Sequence, residues 1–291
     1  MIELTASFFE QTADAARSRF FRICEECGLE PWKMHVSEEK NVVIDAVRIG
    51  SPDAPSVLTL TPGASEGEGL CASAIQCCIL ADSIRRELPK EVAIVLIHSV
   101  APAWRFVPKK DLKNTERNWD DALLVAAETR FKKFVQTGKK LRQRRQVRKQ
   151  KNSLTPEGQL GCLIERHLYR AERIAVLDIR TGPGSFGDCD VIACAGKTTP
   201  MGKRASLWFG AKTELDDILS IEAPGPLAQS LIANLPPVEL GAAVMEFGTY
   251  SLQAFLRTNT GRMFYPIDSN WRTQVMDKAH IVIRHAVAEL A

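Results

Sequence analysis

The stretch that decides the fold is Thr59-Leu60-Thr61-Pro62-Gly63-Ala64-Ser65-Glu66-Gly67-Glu68-Gly69. It joins an apolar strand to a glycine-rich acidic turn, and the pattern predicts a helix that begins near Leu70. A turn at the carboxyl end of a strand is where open α/β sheets place their chemistry. Carboxylates repel phosphate, so the acidic turn favours a metal ion or a proton transfer over a phosphate-binding loop.

Outward from this turn, strands and helices are predicted to alternate from end to end. The expected strands cover residues 41–49, 57–61, 92–98, 174–179, 191–195 and 242–247. The expected helices cover residues 8–27, 70–88, 120–135, 160–169, 250–257 and 271–290, with one more starting at 226. No linker or internal repeat interrupts the pattern. It predicts one α/β domain over residues 1–291, with a mixed, mostly parallel central sheet and helices on both faces.

Composition narrows the class of protein. The 291 residues are 45% hydrophobic and 25% charged, with a net charge of +3, as in ordinary globular proteins. No apolar run reaches the ~20 residues that span a bilayer, and the first residues lack the basic start of a signal peptide. The eight cysteines are interpreted as reduced thiols in a cytoplasmic protein. Cys24 and Cys27 have the spacing of a redox motif, but the two glutamates between them favour inert thiols, buried or half-buried.

A basic segment, Lys139–Lys151, has eight basic residues in thirteen and lies in an expected insertion at about 136–153. Such a segment binds nucleic acid or an anionic membrane surface in some proteins. It lacks the interleaved aromatic residues of many nucleic-acid sites, so a solvated surface segment is the preferred interpretation.

Six segments in chain order carry a resemblance to a known family. They are Glu68–Gln76 (resembling E-G-F-x-G-S-A-x-Q), His98–Pro102 (H-x-x-N-P), Glu116–Trp119 (N-R-N-F), Asp178–Gly184 (D-x-H-T-G-x-G), Glu246–Thr249 (E-F-G-T) and Phe264–Trp271 (F-Y-P-x-D-x-x-W). The chain thereby resembles the zinc carboxypeptidase-like superfamily, with its carboxypeptidase A and aspartoacylase type of fold. Within it, the chain is most similar to an uncharacterised, mainly bacterial family described as a domain of unknown function.

The resemblance implies a set of site residues. Members of the superfamily hold zinc with a histidine and a glutamate of the first turn and a histidine of a later strand end. Those positions correspond to Ser65, Glu68 and Arg180 in this sequence. The general base corresponds to Glu246. The arginine that binds the substrate carboxylate corresponds to Arg117, with Asn118 beside it and Glu116 in place of the family's asparagine.

Departures from the family pattern carry the functional inference. Catalytic zinc needs about three protein ligands, whereas Ser65 is a poor ligand and the Arg180 guanidinium has no lone pair to offer. Arg180 is therefore expected to pair with Glu68 or Glu246, or to bind an anionic ligand. The metal position at Glu68 and the base at Glu246 are interpreted as relict, with no cofactor in the cleft.

Three functions follow. The first is a pseudoenzyme that binds a small carboxylate or a peptide terminus through Arg117, Arg180 and Asn118. The second is an active, metal-dependent amide hydrolase, with zinc held by Glu68, Glu66 or His98. The third is an interaction module that uses the basic segment. The oligomeric state is left open.

The sequence leaves a structural alternative open for both Glu68 and His98. Glu68 can cap the helix that follows it, since a helix N-terminus favours negative charge. His98 ends an apolar strand, and a hydrogen-bonded core histidine is favoured over a metal ligand there.

Overall fold

The central strands of the sheet are apolar runs whose side chains are buried on both faces. The computed structural model describes residues 7–37, 42–100, 156–182, 184–212, 224–250 and 264–291. Within these ranges lie seven strands: β1 (Trp32–Ser37), β2 (Val42–Ile49), β3 (Ser56–Pro62), β4 (Val92–His98), β5 (Arg173–Gly182), β6 (Cys189–Ala193) and β7 (Glu239–Gly248). Their order in the sheet is β1-β2-β4-β3-β5-β7-β6.

The sheet is mixed. The central strands β4, β3, β5 and β7 run parallel to one another, while β1, β2 and β6 pair antiparallel with their neighbours. The α/β fold with helices on both faces is thus confirmed. The expectation of a mostly parallel sheet is only partly confirmed, because three of the six strand pairs, β1–β2, β2–β4 and β6–β7, are antiparallel.

Seven helices belong to the described part of the chain: α1 (Ala13–Glu26), α2 (Glu66–Ala81), α3 (Ser83–Arg86), α4 (Pro156–His167), α5 (Pro200–Phe209), α6 (Pro226–Asn234) and α7 (Ser269–Leu290). On one face, α1, α2, α5 and α7 pack in a core that includes Phe20, Trp208 and Trp271. On the other face, α4 and α6 pack in a second core that includes Leu163 and Leu231. The sheet is the middle of three layers.

Some elements differ from the sequence-based expectation. The segments β1 and α5 are absent from the sequence-based expectation, and α2 starts at Glu66 rather than near Leu70. The earlier start places Glu68 inside the first turn of the helix. The strand β5 extends to Gly182, so Arg180 belongs to the strand and not to the turn after it.

The cysteines of the described chain are free thiols. Cys24 is buried and Cys27 is half-buried, which confirms the interpretation of this pair as structural. Burial raises the pKa of the Cys24 thiol to about 12, so this sulfur is a poor nucleophile. No helix of the described ranges has the length and apolar character needed to cross a bilayer.

Candidate functional site

The turn after β3 forms a capping box with the first turn of α2. The Ser65 hydroxyl accepts a hydrogen bond from the Glu68 backbone N–H at 3.3 Å, and the Glu68 carboxylate accepts one from the Ser65 N–H at 2.6 Å. Both side chains therefore satisfy N–H groups that the helix leaves unpaired. The helix-cap role considered for Glu68 in the sequence is what the structure shows.

The Glu68 carboxyl lies directly over Gly63. A Cβ atom at Gly63 would lie 2.7 Å from the carboxyl carbon, so a larger residue at position 63 would force the Glu68 side chain to move. Burial raises the pKa of Glu68, while the hydrogen bond from Ser65 and the positive charge of Arg180 act against that rise. Arg180 thus contributes to the electrostatic environment of Glu68 across the end of the sheet.

Asp178 is the buried centre of the site. Its carboxylate is fully buried and accepts hydrogen bonds from Thr61 Oγ1 at 2.8 Å, from the Gly225 N–H at 2.7 Å and from Arg180 Nε at 3.0 Å. Burial raises the pKa of Asp178, and the arginine and the other two donors oppose that rise. Three donors, one of them a guanidinium, make this a well-satisfied buried carboxylate.

Arg180 is held by Asp178 and lies between acidic neighbours. Its side chain is 15% exposed. Glu246 lies opposite it on β7, and Gly63, beneath the Glu68 carboxyl, follows the β3 residue that pairs with Ile179. The guanidinium is therefore fixed in orientation by Asp178, and the Arg180 side chain keeps a small exposed fraction.

Glu246 is half-buried at the end of β7. A Cβ atom at Gly182 would lie 2.6 Å from Glu246 Oε1, so the carboxylate lies over that glycine of β5. On its other side the register places Asp190 of β6, which pairs with Lys212 at 2.7 Å. The row across the sheet is thus Asp190, Glu246, Arg180 and Gly63. Because the Glu68 carboxyl lies over Gly63, this row brings together three of the residues predicted from sequence: Glu246, Arg180 and Glu68.

His98 does not join this group. It follows the residue alternation of β4 onto the α1 and α2 face, where its Nε2 lies 2.9 Å from Ser73 Oγ and its ring stacks on Phe20 at 4.3 Å. The interpretation of His98 as a core histidine is confirmed. The alternative that it replaces a lost zinc ligand beside Glu68 is not supported, because among the described residues His98, Glu68 and Glu66 do not form a group close enough to hold a metal ion. Glu66 is exposed in the first turn of α2.

The remaining predicted residues, Glu116, Arg117, Asn118 and the basic segment, lie outside the described residues. Sequence reasoning missed the buried role of Asp178 and its partners Thr61 and Gly225. The sequence signal that could have revealed this role is Asp178 itself, a charged residue inside the apolar run of β5. It also missed Phe186 and Tyr250, which are 38% and 39% exposed just beyond the ends of β5 and β7, with ring centroids 5.8 Å apart.

The zinc that the resemblance implies does not fit the residues present. Ser65 and Glu68 are engaged in the capping box, and Arg180 adds a positive charge where a neutral histidine would be needed. In the described ranges, one group of three His, Cys, Asp or Glu side chains has the proximity to hold a metal, and it consists of Cys78, Asp82 and His280, away from this site. A surface cavity of about 400 Å³, lined by Asp14, Arg17, Ser18, Phe21 and Lys33, also lies apart from it.

Comparison with solved structures identifies the fold. Carboxypeptidase A from Helicoverpa armigera aligns with 96% of this chain and 73% of its own length, at 11% identity and a TM-score of 0.51. Glutaminyl cyclase from Tannerella forsythia aligns with 97% of this chain and 95% of its own, at 12% identity and a TM-score of 0.45. The first of these likenesses shows a carboxypeptidase-like fold and, at that identity, the fold alone.

Comparison with sequences identifies the family. No match is found among curated proteins. The family described as "Protein of unknown function (DUF2817)" matches residues 9–121 and 155–262, which is most of the chain, and the basic segment falls between the two matched ranges. On this evidence the chain belongs to the DUF2817 family and has the fold of the carboxypeptidase-like metallopeptidases.

Proposed function

We propose that this protein is a pseudoenzyme of the carboxypeptidase-like fold, whose cleft binds a small carboxylate or a peptide terminus without catalytic zinc. The observation that supports the proposal is the position of Arg180. Its guanidinium stands where the second histidine ligand is expected, anchored by the buried Asp178 and flanked by Glu246 and Glu68. A salt-bridged cation thus takes the place of a metal-centred charge.

The donor set of the cleft argues against hydrolysis by zinc-bound water. Glu68 is the single one of the three inferred ligand positions that keeps a ligand-type side chain, and its Oε2 accepts the Ser65 N–H. A lone carboxylate next to a guanidinium does not retain catalytic zinc, because an open site needs about three protein ligands. Glu246 then has no activated water to deprotonate and serves to balance the charge of Arg180.

Without zinc, the side chains of the cleft still suit the binding of an anion that carries an apolar group. A guanidinium presents donors in a planar fork that matches a carboxylate, and Arg180 is oriented by its bond to Asp178. The partly exposed rings of Phe186 and Tyr250 lie at the same edge of the sheet. Arg117 and Asn118 are proposed to complete the carboxylate site, as the family resemblance implies.

The ligand proposal predicts that N-acetylated amino acids bind and that Arg180→Gln weakens their binding at least about tenfold, since a charged hydrogen bond contributes about 1.5 kcal/mol or more. Isothermal titration calorimetry measures the change. Arg170→Gln is the matched control, because Arg170 forms an exposed ion pair with Asp53 and lies away from the cleft. Equal affinity in the Arg180 variant contradicts the role of Arg180. Hydrolysis of the same compounds, abolished by Glu246→Gln, favours the active amide hydrolase instead.

The lost-ligand proposal predicts that Ser65→His together with Arg180→His creates a zinc site with Glu68. Two histidines and one carboxylate form a known type of catalytic zinc set. We expect the double variant to bind one more zinc per chain than the wild type, as measured by elemental analysis after dialysis. Ser65→Asn with Arg180→Gln is the matched control and should bind no additional zinc. Failure of the histidine pair to add a zinc contradicts the interpretation of the turn as a relict metal site.

A further inference from the structure

Three metal-ligating side chains meet at the far end of α2, away from the cleft. A ligand atom of each of Cys78, Asp82 and His280 lies within 4.8 Å of the other two. Cys78 is in the last turn of α2, Asp82 follows that helix as its C-cap, and His280 belongs to α7. The Ser65–Glu68 capping box occupies the opposite end of α2, so the two groups are separated by the length of the helix.

The spacing of these atoms suits a tetrahedral zinc ion. His280 Nε2 and Asp82 Oδ2 are 3.3 Å apart. Zinc bonds of about 2.0–2.1 Å to nitrogen and oxygen place two tetrahedral ligand atoms about 3.3–3.4 Å apart. A zinc–sulfur bond of about 2.3 Å requires the sulfur at about 3.6 Å from the other two atoms. Starting from within 4.8 Å, the thiol has to approach by little more than about 1 Å.

The carboxylate of Asp82 is already oriented for this role. Its Oδ1 accepts hydrogen bonds from Ser83 Oγ at 2.7 Å and from the Ile84 N–H at 3.2 Å, as the N-cap of α3. Its Oδ2 faces His280. Outer hydrogen bonds that hold a ligand in place are a regular feature of metal sites.

Arg284 is the main opposing charge near the cluster. Its guanidinium lies 3.7 Å from Asp82 Oδ1 and 3.4 Å from Glu87 Oε2, and its side chain is 47% exposed. It thus contacts the oxygen of Asp82 that serves the helix cap, and its charge is shared with Glu87 and screened by water. The Oδ2 atom remains on the His280 side.

We propose that Cys78, Asp82 and His280 bind a zinc ion that joins the end of α2 to α7. Sulfur, nitrogen and oxygen donors together favour zinc over magnesium or calcium, which prefer oxygen ligands alone. Three protein ligands leave a fourth position for water. Because the ion links two helices of the same core, its expected effect is on stability and not on the chemistry of the cleft.

The test is zinc titration of the full chain, stripped of metal by chelator under reducing conditions. We expect one zinc per chain, a higher Tm with zinc than without it, and visible absorption from sulfur ligation when Co²⁺ is used. Cys78→Ser and His280→Gln should each weaken zinc binding at least about tenfold. Cys162→Ser, a half-buried thiol on α4, and His285→Gln, an exposed histidine on α7, should leave it unchanged. Unfolding curves without metal establish that each variant is folded.

Two outcomes overturn this proposal. One is the absence of zinc binding at micromolar concentration, and the other is unchanged affinity in both Cys78→Ser and His280→Gln. Zinc that is lost in Glu68→Gln and kept in Cys78→Ser lies in the cleft and contradicts the proposed pseudoenzyme as well. Zinc bound at Cys78 is also counted in the elemental analysis of the Ser65→His, Arg180→His variant, although it lies outside the cleft. The histidine restoration is therefore performed in a Cys78→Ser, His280→Gln background, in which any added zinc belongs to the cleft.

Discussion

Replacing Asp178 by alanine is expected to lower the free energy of unfolding by about 3–5 kcal/mol, the range for removing one partner of a buried ion pair. The change leaves the Arg180 guanidinium without its anchor. It also removes the acceptor of the Thr61 hydroxyl and of the buried Gly225 N–H. Urea unfolding measures the loss. Because Arg180 keeps 15% of its side chain exposed, water offsets part of the cost, and the lower half of the range is expected.

Two further variants provide smaller expected costs with which the cost of Asp178→Ala can be compared. Thr61→Val removes one of the three donors to Asp178 and is expected to cost about 1–1.5 kcal/mol. Asp53→Ala breaks an ion pair whose side chains are 74% and 70% exposed, and it is expected to cost less than about 1 kcal/mol. A cost for Asp178→Ala no greater than that for Asp53→Ala would show that the buried pair does not hold the site together.

Lowering the pH from 7 to 5 is expected to cost about 2 kcal/mol of stability through His98 alone. Burial, helped by the charge of Arg17, lowers the pKa of His98 from 6.5 to about 3 in the folded chain. Between these values the unfolded chain binds one more proton than the folded chain, so stability falls as the pH falls. The contribution is fully present above pH 6.5 and declines by about 1.4 kcal/mol per pH unit until about pH 3.

The comparison of His98→Gln with the wild type isolates this effect. The variant is expected to lose about 2 kcal/mol less than the wild type between pH 7 and pH 5 when unfolding in urea is measured at both values. Equal pH dependence in wild type and His98→Gln would mean that His98 takes up its proton in the folded state.

Most of the central sheet could be predicted because its strands are apolar runs ended by turn residues. The predicted segments 57–61, 92–98 and 174–179 fall within β3, β4 and β5. The strand β1 was missed although Trp32–Ser37 alternates apolar and polar residues, as a half-buried strand does, and it pairs with β2. The start of α2 was misplaced because the capping box at Ser65 and Glu68 was not recognised as the first turn of the helix.

The candidate site was only partly predictable. The order of motifs identified Ser65, Glu68, Arg180 and Glu246, since each follows or ends a strand. The role of Asp178 depends on Thr61 and Gly225, which are 117 and 47 residues away in the chain. Contacts over such distances leave no local periodicity to detect. Likewise, Cys78 and Asp82 lie close together in sequence, but His280 approaches them through the packing of α7 on α2.

By itself, the sequence determined that a serine and an arginine, Ser65 and Arg180, stand where the family resemblance implies histidine ligands, and neither side chain offers an imidazole nitrogen. It also determined the α/β class, through the alternation of apolar runs. Only the tertiary structure decided where the charges lie: it enclosed His98 in the core between Ser73 and Phe20, and it buried Asp178 beside Arg180. The physical reason is that residue alternation, strand register and burial together set which side chains meet and which stay charged.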